Sequence, residues 1–194
     1  MSDGEPRLRR FRIDGSRSAE MRSHHCFACG DLNVHGLQLR LHLDPGTSWT
    51  ETVIDPRFGG WEGIVHGGVI CAILDEVMAW ALISEDCWGV TAKMTVQFRR
   101  PIPVGSAVRA EGKLVDRRRR VLRTAGRVLD RVTGEELATA EGTYVDAPAD
   151  RKEDLKRRYG FRVLGTDEAA ALERGNGATG GSAAPARPEE AVHA

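Results

Sequence analysis

A carboxylate and a histidine–glycine motif share one apolar stretch, HGGVICAILDE, and these residue types suit acyl-transfer chemistry. The paired glycines that follow His66 let a ligand approach the backbone closely, because glycine has no side chain. If a helix begins here, its first amides have no internal partner and stabilise an oxygen anion. Asp75 would lie about 12 Å further along that helix, where it could act on an elongated or water-bridged substrate.

The surrounding pattern predicts a helix from His66 to about Ser84. Residues placed about 100° apart form a broad apolar stripe that contains Ile70, Ile73, Leu74, Val77, Trp80 and Ala81. Asp75 lies roughly opposite, yet its neighbours there are uncharged: Cys71, Ala72, Met78 and Ala79. One small domain cannot bury both sides of its only long helix, so we predict that the second side meets another subunit. The alternative to a catalytic role is structural. In that case HGG is only a tight turn, and Asp75 forms an ion pair at an interface.

Alternating residues predict a sheet around this helix. Segment 36–44 alternates strictly, and a turn at Pro45 and Gly46 leads to a second strand at 48–55. After the helix, segment 88–100 places one set of residues on a common face: Val90, Ala92, Met94, Val96 and Phe98. Three more strands follow, with the sequences AVRAEGKLVD, RVLRTAGRVLD and ELATAEGTYVD. This order predicts an α+β fold in which an antiparallel sheet wraps around one long central helix.

Composition shifts predict three regions. Residues 1–22 form a basic N-terminal extension, residues 23–164 form the domain, and residues 165–194 form a disordered tail with few large apolar side chains. A short charged helix is predicted near 148–159. The basic run 117–120 is interpreted as a solvated turn, and a contact with the phosphates of an anionic substrate remains open.

Charge and hydropathy exclude several classes of partner. Lys plus Arg number 28, as do Asp plus Glu, so the chain lacks the basic excess of nucleic-acid-binding or acidic-membrane-binding proteins. No apolar run approaches the ~20 residues of a membrane span. The charged N-terminus has no apolar core, which argues against a secretory signal and predicts a cytoplasmic protein.

Cys26 and Cys29 form a CxxC motif that follows His24 and His25. A structural zinc site needs four ligands, and the histidines could complete one. There is no second CxxC, however, and adjacent histidine side chains point in different directions. We therefore interpret the segment as an ordered turn that leads into the first strand and predict no metal. A zinc site and a redox pair stay open as alternatives.

The motif and its flanks resemble hotdog-fold acyl-CoA thioesterases of the PaaI-like (4HBT-type) group. In that family HGG opens the central helix and a carboxylate follows nine positions after the histidine, as Asp75 follows His66. The lead-in CFACGDLNVHGLQL and the segment TVQFRRPIPVG also match, so the resemblance covers about residues 26–147. One departure is Gly60, since several members carry an asparagine six residues before the histidine.

The resemblance implies a role for each matched residue. Asp75 would be the general base or nucleophile toward the thioester, and the Gly67 amide would polarise the thioester carbonyl. His66 would orient the thioester or its leaving sulfur. Thr91 matches a Ser/Thr position that reaches a water or Asp75 across a dimer.

The resemblance also implies an acyl-CoA substrate, a homodimer or homotetramer, and no metal or organic cofactor. The main alternative is a non-catalytic acyl-CoA-binding or regulatory hotdog module, which has no need of a carboxylate in the substrate cleft. A hotdog hydratase or dehydratase fits poorly because such enzymes place an Asp and a His in a different pattern. Leu82, Ile83 and Trp88 either line an acyl pocket or belong to the core.

Overall fold

Two antiparallel sheets and two helices make up the part of the chain that the computed structural model describes, residues 8–13 and 17–165. The elements, in chain order, are β1 (Leu8–Arg12), β2 (Ser18–Arg22), β3 (His42–Asp44), β4 (Thr47–Val53), α1 (Gly67–Ile83), β5 (Gly89–Phe98), β6 (Ala107–Arg118), β7 (Val121–Asp130), β8 (Glu136–Asp146), α2 (Ala149–Tyr159) and β9 (Arg162–Leu164). A six-stranded sheet has the order β3-β4-β6-β7-β8-β5, and a three-stranded sheet has the order β1-β2-β9. The predicted α+β fold, with a sheet around one long helix, is confirmed.

Helix α1 lies against the inner face of the six-stranded sheet. The predicted apolar stripe is buried, and Met78, which was predicted on the Asp75 side, is also fully buried. Glycines in the strands create the room for this close packing. A Cβ at Gly112 would lie 2.3 Å from the carbonyl oxygen of Val77, and one at Gly126 would lie 3.0 Å from the Met78 side chain. The backbones of the helix and the sheet therefore approach more closely than any larger residue permits.

The predicted strand over 36–44 is wrong for most of its length, because only His42–Asp44 pairs with β4. The predicted burial is nevertheless observed at Leu39, Leu41 and Leu43. The amides of Leu37 and Leu39 donate instead to the carbonyl oxygens of Phe27 and Ala28, each at 2.8 Å. These two residues belong to the CxxC loop, which comprises residues 24–33. Gln38 adopts a φ of 50°, which breaks the extended conformation. The segment is thus an apolar anchor for the CxxC loop.

The face predicted for β5 is wrong at its N-terminal end. The register with β8 shifts between Thr91 and Lys93, so that Ala92 forms a bulge and Thr91 lies opposite Tyr144. Because cross-strand partners share a face, Thr91 points inward with Tyr144. Val90, predicted to share a face with Met94, is 69% exposed. The bulge therefore turns the Thr91 hydroxyl toward α1.

The connections follow the prediction more closely. Gly46 takes a positive φ of 65° in the β3–β4 turn, and the loop after β4 is irregular apart from a short 3-10 helix at Pro56–Phe58. The charged helix predicted near 148–159 is α2. Strand β6 extends into the predicted basic turn, and both Arg117 and Arg120 bind Asp146.

The small sheet was not predicted. Its strands β1 and β2 come from the N-terminal extension, and Phe11 packs edge-on against Trp80 of α1 with ring centroids 5.1 Å apart. The division at residues 22 and 164 stays a prediction. The predicted tail lies, apart from Gly165, outside the described residues. Within those residues, no helix is long and apolar enough to cross a membrane.

Candidate functional site

The start of α1 presents a free backbone donor. His66 is the N-cap, and its Nδ1 accepts a hydrogen bond of 2.9 Å from the Gly68 amide. Across the described residues, the amide of Gly67 has no acceptor. Because Nδ1 accepts, a neutral His66 ring carries its proton on Nε2. The helix start thus offers two donors, the Gly67 amide and an imidazole N–H.

Gly60, which departs from the family pattern, packs closely against His66. A Cβ at this position would lie 3.0 Å from Cα and 3.3 Å from Cβ of His66. An asparagine at this position would therefore displace the N-cap residue unless the loop moved. This chain has close backbone packing at the position where the family resemblance implies an asparagine.

Asp75 is held by two hydroxyl groups from the sheet. Its Oδ1 accepts hydrogen bonds from Thr91 Oγ1 at 2.7 Å and from the Tyr144 hydroxyl at 2.8 Å. Burial, with the nearby Asp75 charge, raises the pKa of Tyr144, so the hydroxyl remains a donor. Oδ2 has no hydrogen bond within the described part of the chain. Asp75 is half-buried, with one oxygen fixed and one available for chemistry.

Tyr144 was missed by the sequence reasoning. It lies 69 residues after Asp75, and nothing in its strand pattern marks it beyond an inward-facing position. The contact between Thr91 and Asp75 lies within one chain rather than across a dimer. The helix start and Asp75 are separate, because eight residues of helix span about 12 Å. One chain therefore does not bring the Gly67 amide and Asp75 to a single substrate atom.

Two concave regions lie near these elements. A cavity of about 290 Å³ is lined mainly by apolar side chains, among them Ile83 and Trp88, with Cys26, Cys29 and Glu76 also in its wall. Leu82 is fully buried in the core. A second concavity of about 790 Å³ lies over the outer face of the sheet and contains none of the predicted site residues.

Residues 62–136 match the family model described as the thioesterase superfamily. The resemblance to hotdog-fold, PaaI-like thioesterases is confirmed. The match covers the HGG motif, α1 with Asp75, all of β5, β6 and β7, and the start of β8. It indicates a thioesterase-type function and assigns no residue roles.

Several solved structures share the fold. A thioesterase superfamily protein, RHA08564, is 28% identical with a TM-score of 0.57; the alignment covers 63% of this chain and 60% of that chain. The PaaI protein of the E. coli phenylacetic acid degradation operon is 17% identical over 58% of this chain and 81% of its own, with a TM-score of 0.55. A Streptococcus mutans protein bound to acetyl CoA is 19% identical over 56% of this chain and 88% of its own, with a TM-score of 0.54. No curated protein matches the chain significantly.

Proposed function

We propose that this protein is an acyl-CoA thioesterase, which hydrolyses a thioester to a free acid and CoA. The observation that carries the proposal is Asp75, a carboxylate in the middle of a buried helix with Oδ1 bound by two hydroxyls and Oδ2 free. The family match supports the reaction class. Structural neighbours described as bound to acetyl CoA and with coenzyme A support the choice of thiol.

The fixed carboxylate suits either of two steps. As a general base, Asp75 Oδ2 takes a proton from water while the water oxygen attacks the thioester carbon, and the C–S bond then breaks. As a nucleophile, Oδ2 attacks the carbon itself and forms an anhydride that water hydrolyses. In both cases the sulfur leaves as a thiolate and takes up a proton.

The helix start supplies charge stabilisation in this proposal. The carbonyl oxygen becomes negative as the tetrahedral species forms, and the Gly67 amide at the positive end of α1 stabilises it. His66 orients the thioester, with Nε2–H donating to the carbonyl oxygen or the leaving sulfur. The Thr91 and Tyr144 hydroxyls position Asp75.

A dimer resolves the separation of about 12 Å between Gly67 and Asp75. If two copies of α1 lie antiparallel, Gly67 of one copy can face Asp75 of the other, and symmetry makes the reverse contact at the same time. The two-fold axis then passes next to Cys71, the residue midway between them. The half-buried Cys71, Ala72 and Ala79 leave this side of the helix free of bulky side chains. We therefore propose a homodimer, or a homotetramer built from dimers.

Strand β5 supports the same assembly. It is one of the two edge strands of the six-stranded sheet, and it exposes Val90 and Phe98 by 69% and 56%. An unpaired sheet edge with apolar side chains is a common site of pairing with a second chain. The cytoplasmic location stays a prediction.

A panel of acyl-CoA esters tests the proposal against a binding-only hotdog module. Short-chain, long-chain and aromatic thioesters should be incubated with the full chain, and thiol release should be followed over time. We expect saturable hydrolysis of at least one class, well above the uncatalysed rate. Saturable binding of acyl-CoA without thiol release across the whole panel would reject the enzyme and favour the binding module.

A further inference from the structure

Cys26, Cys29 and Glu76 meet between the CxxC loop and α1. Their two sulfurs and one carboxylate oxygen all lie within 4.8 Å of one another. Cys26 Sγ is 3.9 Å from Glu76 Oε2, and Cys29 Sγ is 3.9 Å from His24 Nε2. We propose that Cys26, Cys29 and Glu76 bind a zinc ion, with His24 as the fourth ligand. The proposal is independent of the thioesterase function.

The CxxC loop is folded to present two sulfurs to one point. The Gly30 amide donates to the Cys26 carbonyl oxygen at 3.0 Å. A Cβ at Gly30 would lie 2.4 Å from the Cys26 nitrogen and 2.5 Å from the His24 carbonyl oxygen, so only glycine permits this turn. The amides of Cys29 and Ala28 donate to Cys26 Sγ. Outer hydrogen bonds of this kind orient a metal ligand.

Glu76 supplies a carboxylate that has no cationic partner in the described residues. Its Oε1 accepts a hydrogen bond of 2.8 Å from Trp80 Nε1, while Oε2 faces Cys26. Glu76 is half-buried. A carboxylate that is partly removed from water without a counter-charge is destabilising, and a divalent cation would provide that charge. The indole contact is the kind of outer hydrogen bond that orients a metal ligand.

His24 lies beside Cys29 but outside the group whose ligand atoms are all within 4.8 Å of one another, so its ring must move closer to Cys26 or Glu76 to complete the ligand set. Zinc bonds of about 2.3 Å to sulfur and about 2.0 Å to nitrogen place neighbouring tetrahedral ligands roughly 3.5 Å apart, close to the 3.9 Å between His24 Nε2 and Cys29 Sγ. His24 Nδ1 receives only a long contact of 3.3 Å from the Cys26 amide. Ligation through Nε2 moves the ring proton to Nδ1 and breaks that contact, and each bound cysteine loses its thiol proton to solvent.

Zinc is the metal that this ligand set favours. Two thiolates and an imidazole suit zinc better than the hard cations, which prefer oxygen ligands. The cavity of about 290 Å³ reaches all four side chains and gives the ion access. Bound zinc would fasten the CxxC loop to α1 at the residue that follows Asp75, so we expect a structural role.

Metal content of the full chain is the first test. Protein purified without chelator should contain close to one zinc ion per chain, as measured by inductively coupled plasma mass spectrometry. Cobalt added to the apoprotein should give a thiolate-to-metal charge-transfer band. Cys26→Ser and Cys29→Ser should lose the metal and the band, whereas Cys71→Ser, a cysteine outside the cluster, should retain both.

Two further variants, one of them with a matched control, separate a loss of metal binding from misfolding. Glu76→Gln preserves volume and should weaken cobalt binding at least tenfold, with circular dichroism as the folding control. His24→Ala should weaken binding, whereas alanine at the adjacent exposed His25 should not. The metal site would be overturned by substoichiometric zinc together with the absence of a cobalt–thiolate band. A Cys26–Cys29 disulfide in freshly purified, metal-free protein would also overturn it. Unchanged affinity in His24→Ala would refute the fourth ligand.

Discussion

Tyr144→Phe isolates the support of the carboxylate from the carboxylate itself. The substitution removes a hydroxyl that donates to Asp75 Oδ1 at 2.8 Å and leaves the ring in place. A hydrogen bond to a charged group contributes about 1.5–3 kcal/mol, and each ~1.4 kcal/mol corresponds to about tenfold in rate. If that bond holds Asp75 in its reactive position, kcat should fall roughly 10- to 100-fold. KM should change little, because Tyr144 is fully buried behind Asp75.

The assay is steady-state thiol release from the best acyl-CoA substrate, with kcat and KM determined separately. Tyr159→Phe is the matched control, because Tyr159 is the only other tyrosine. It is the last residue of α2 and packs against the ring of His24. Urea unfolding should show that both variants are folded at the assay temperature. A folded Tyr144→Phe with wild-type kcat would refute the reasoning that this hydroxyl positions a catalytic carboxylate.

Four further predictions concern the helix and its surroundings. Gly67→Ala should lower turnover without unfolding the protein, since the added methyl group makes only ordinary contacts within the chain. His66→Ala should reduce turnover less than Asp75→Asn does. Both effects are measured as rates of thiol release. Gly112→Ala should lower the free energy of unfolding in urea by about 2 kcal/mol or more, because the added methyl meets the helix backbone; an unchanged midpoint would contradict the packing. Light scattering should show a dimer or a tetramer at micromolar concentration, because α1 presents a second apolar side; a chain that stays monomeric in solution would rule out the shared site.

The helix and its reactive residues could be predicted because their signals are local. His66, the glycines and Asp75 lie within one apolar helical pattern, and the strands alternate over their own lengths. Tyr144 and Glu76 could not be found in this way. Tyr144 lies 69 residues from its partner Asp75, and Glu76 lies 50 residues from Cys26. Which distant side chains meet depends on strand register and on the docking of the CxxC loop, and no spacing rule encodes either.

Alternation also predicted burial better than it predicted hydrogen bonding. Leu39, Leu41 and Leu43 are buried in the expected pattern, but the amides of Leu37 and Leu39 donate to the CxxC loop instead of β4. In β5 the bulge at Ala92 reverses the faces before Met94 and brings Thr91 to Asp75. A two-residue alternation pattern cannot reveal a single extra residue in a strand, although here that residue helps to form the candidate site.

Asp75→Asn tests the central claim most directly. The substitution keeps the side-chain volume and removes the base or nucleophile, and general-base catalysis alone is worth about 10²–10⁴-fold. Thiol release and acyl-CoA binding should be measured on the same folded preparation, with circular dichroism as the control. We predict a fall in turnover of about that size with binding retained. A folded Asp75→Asn that hydrolyses its best acyl-CoA as fast as the wild type would contradict the account.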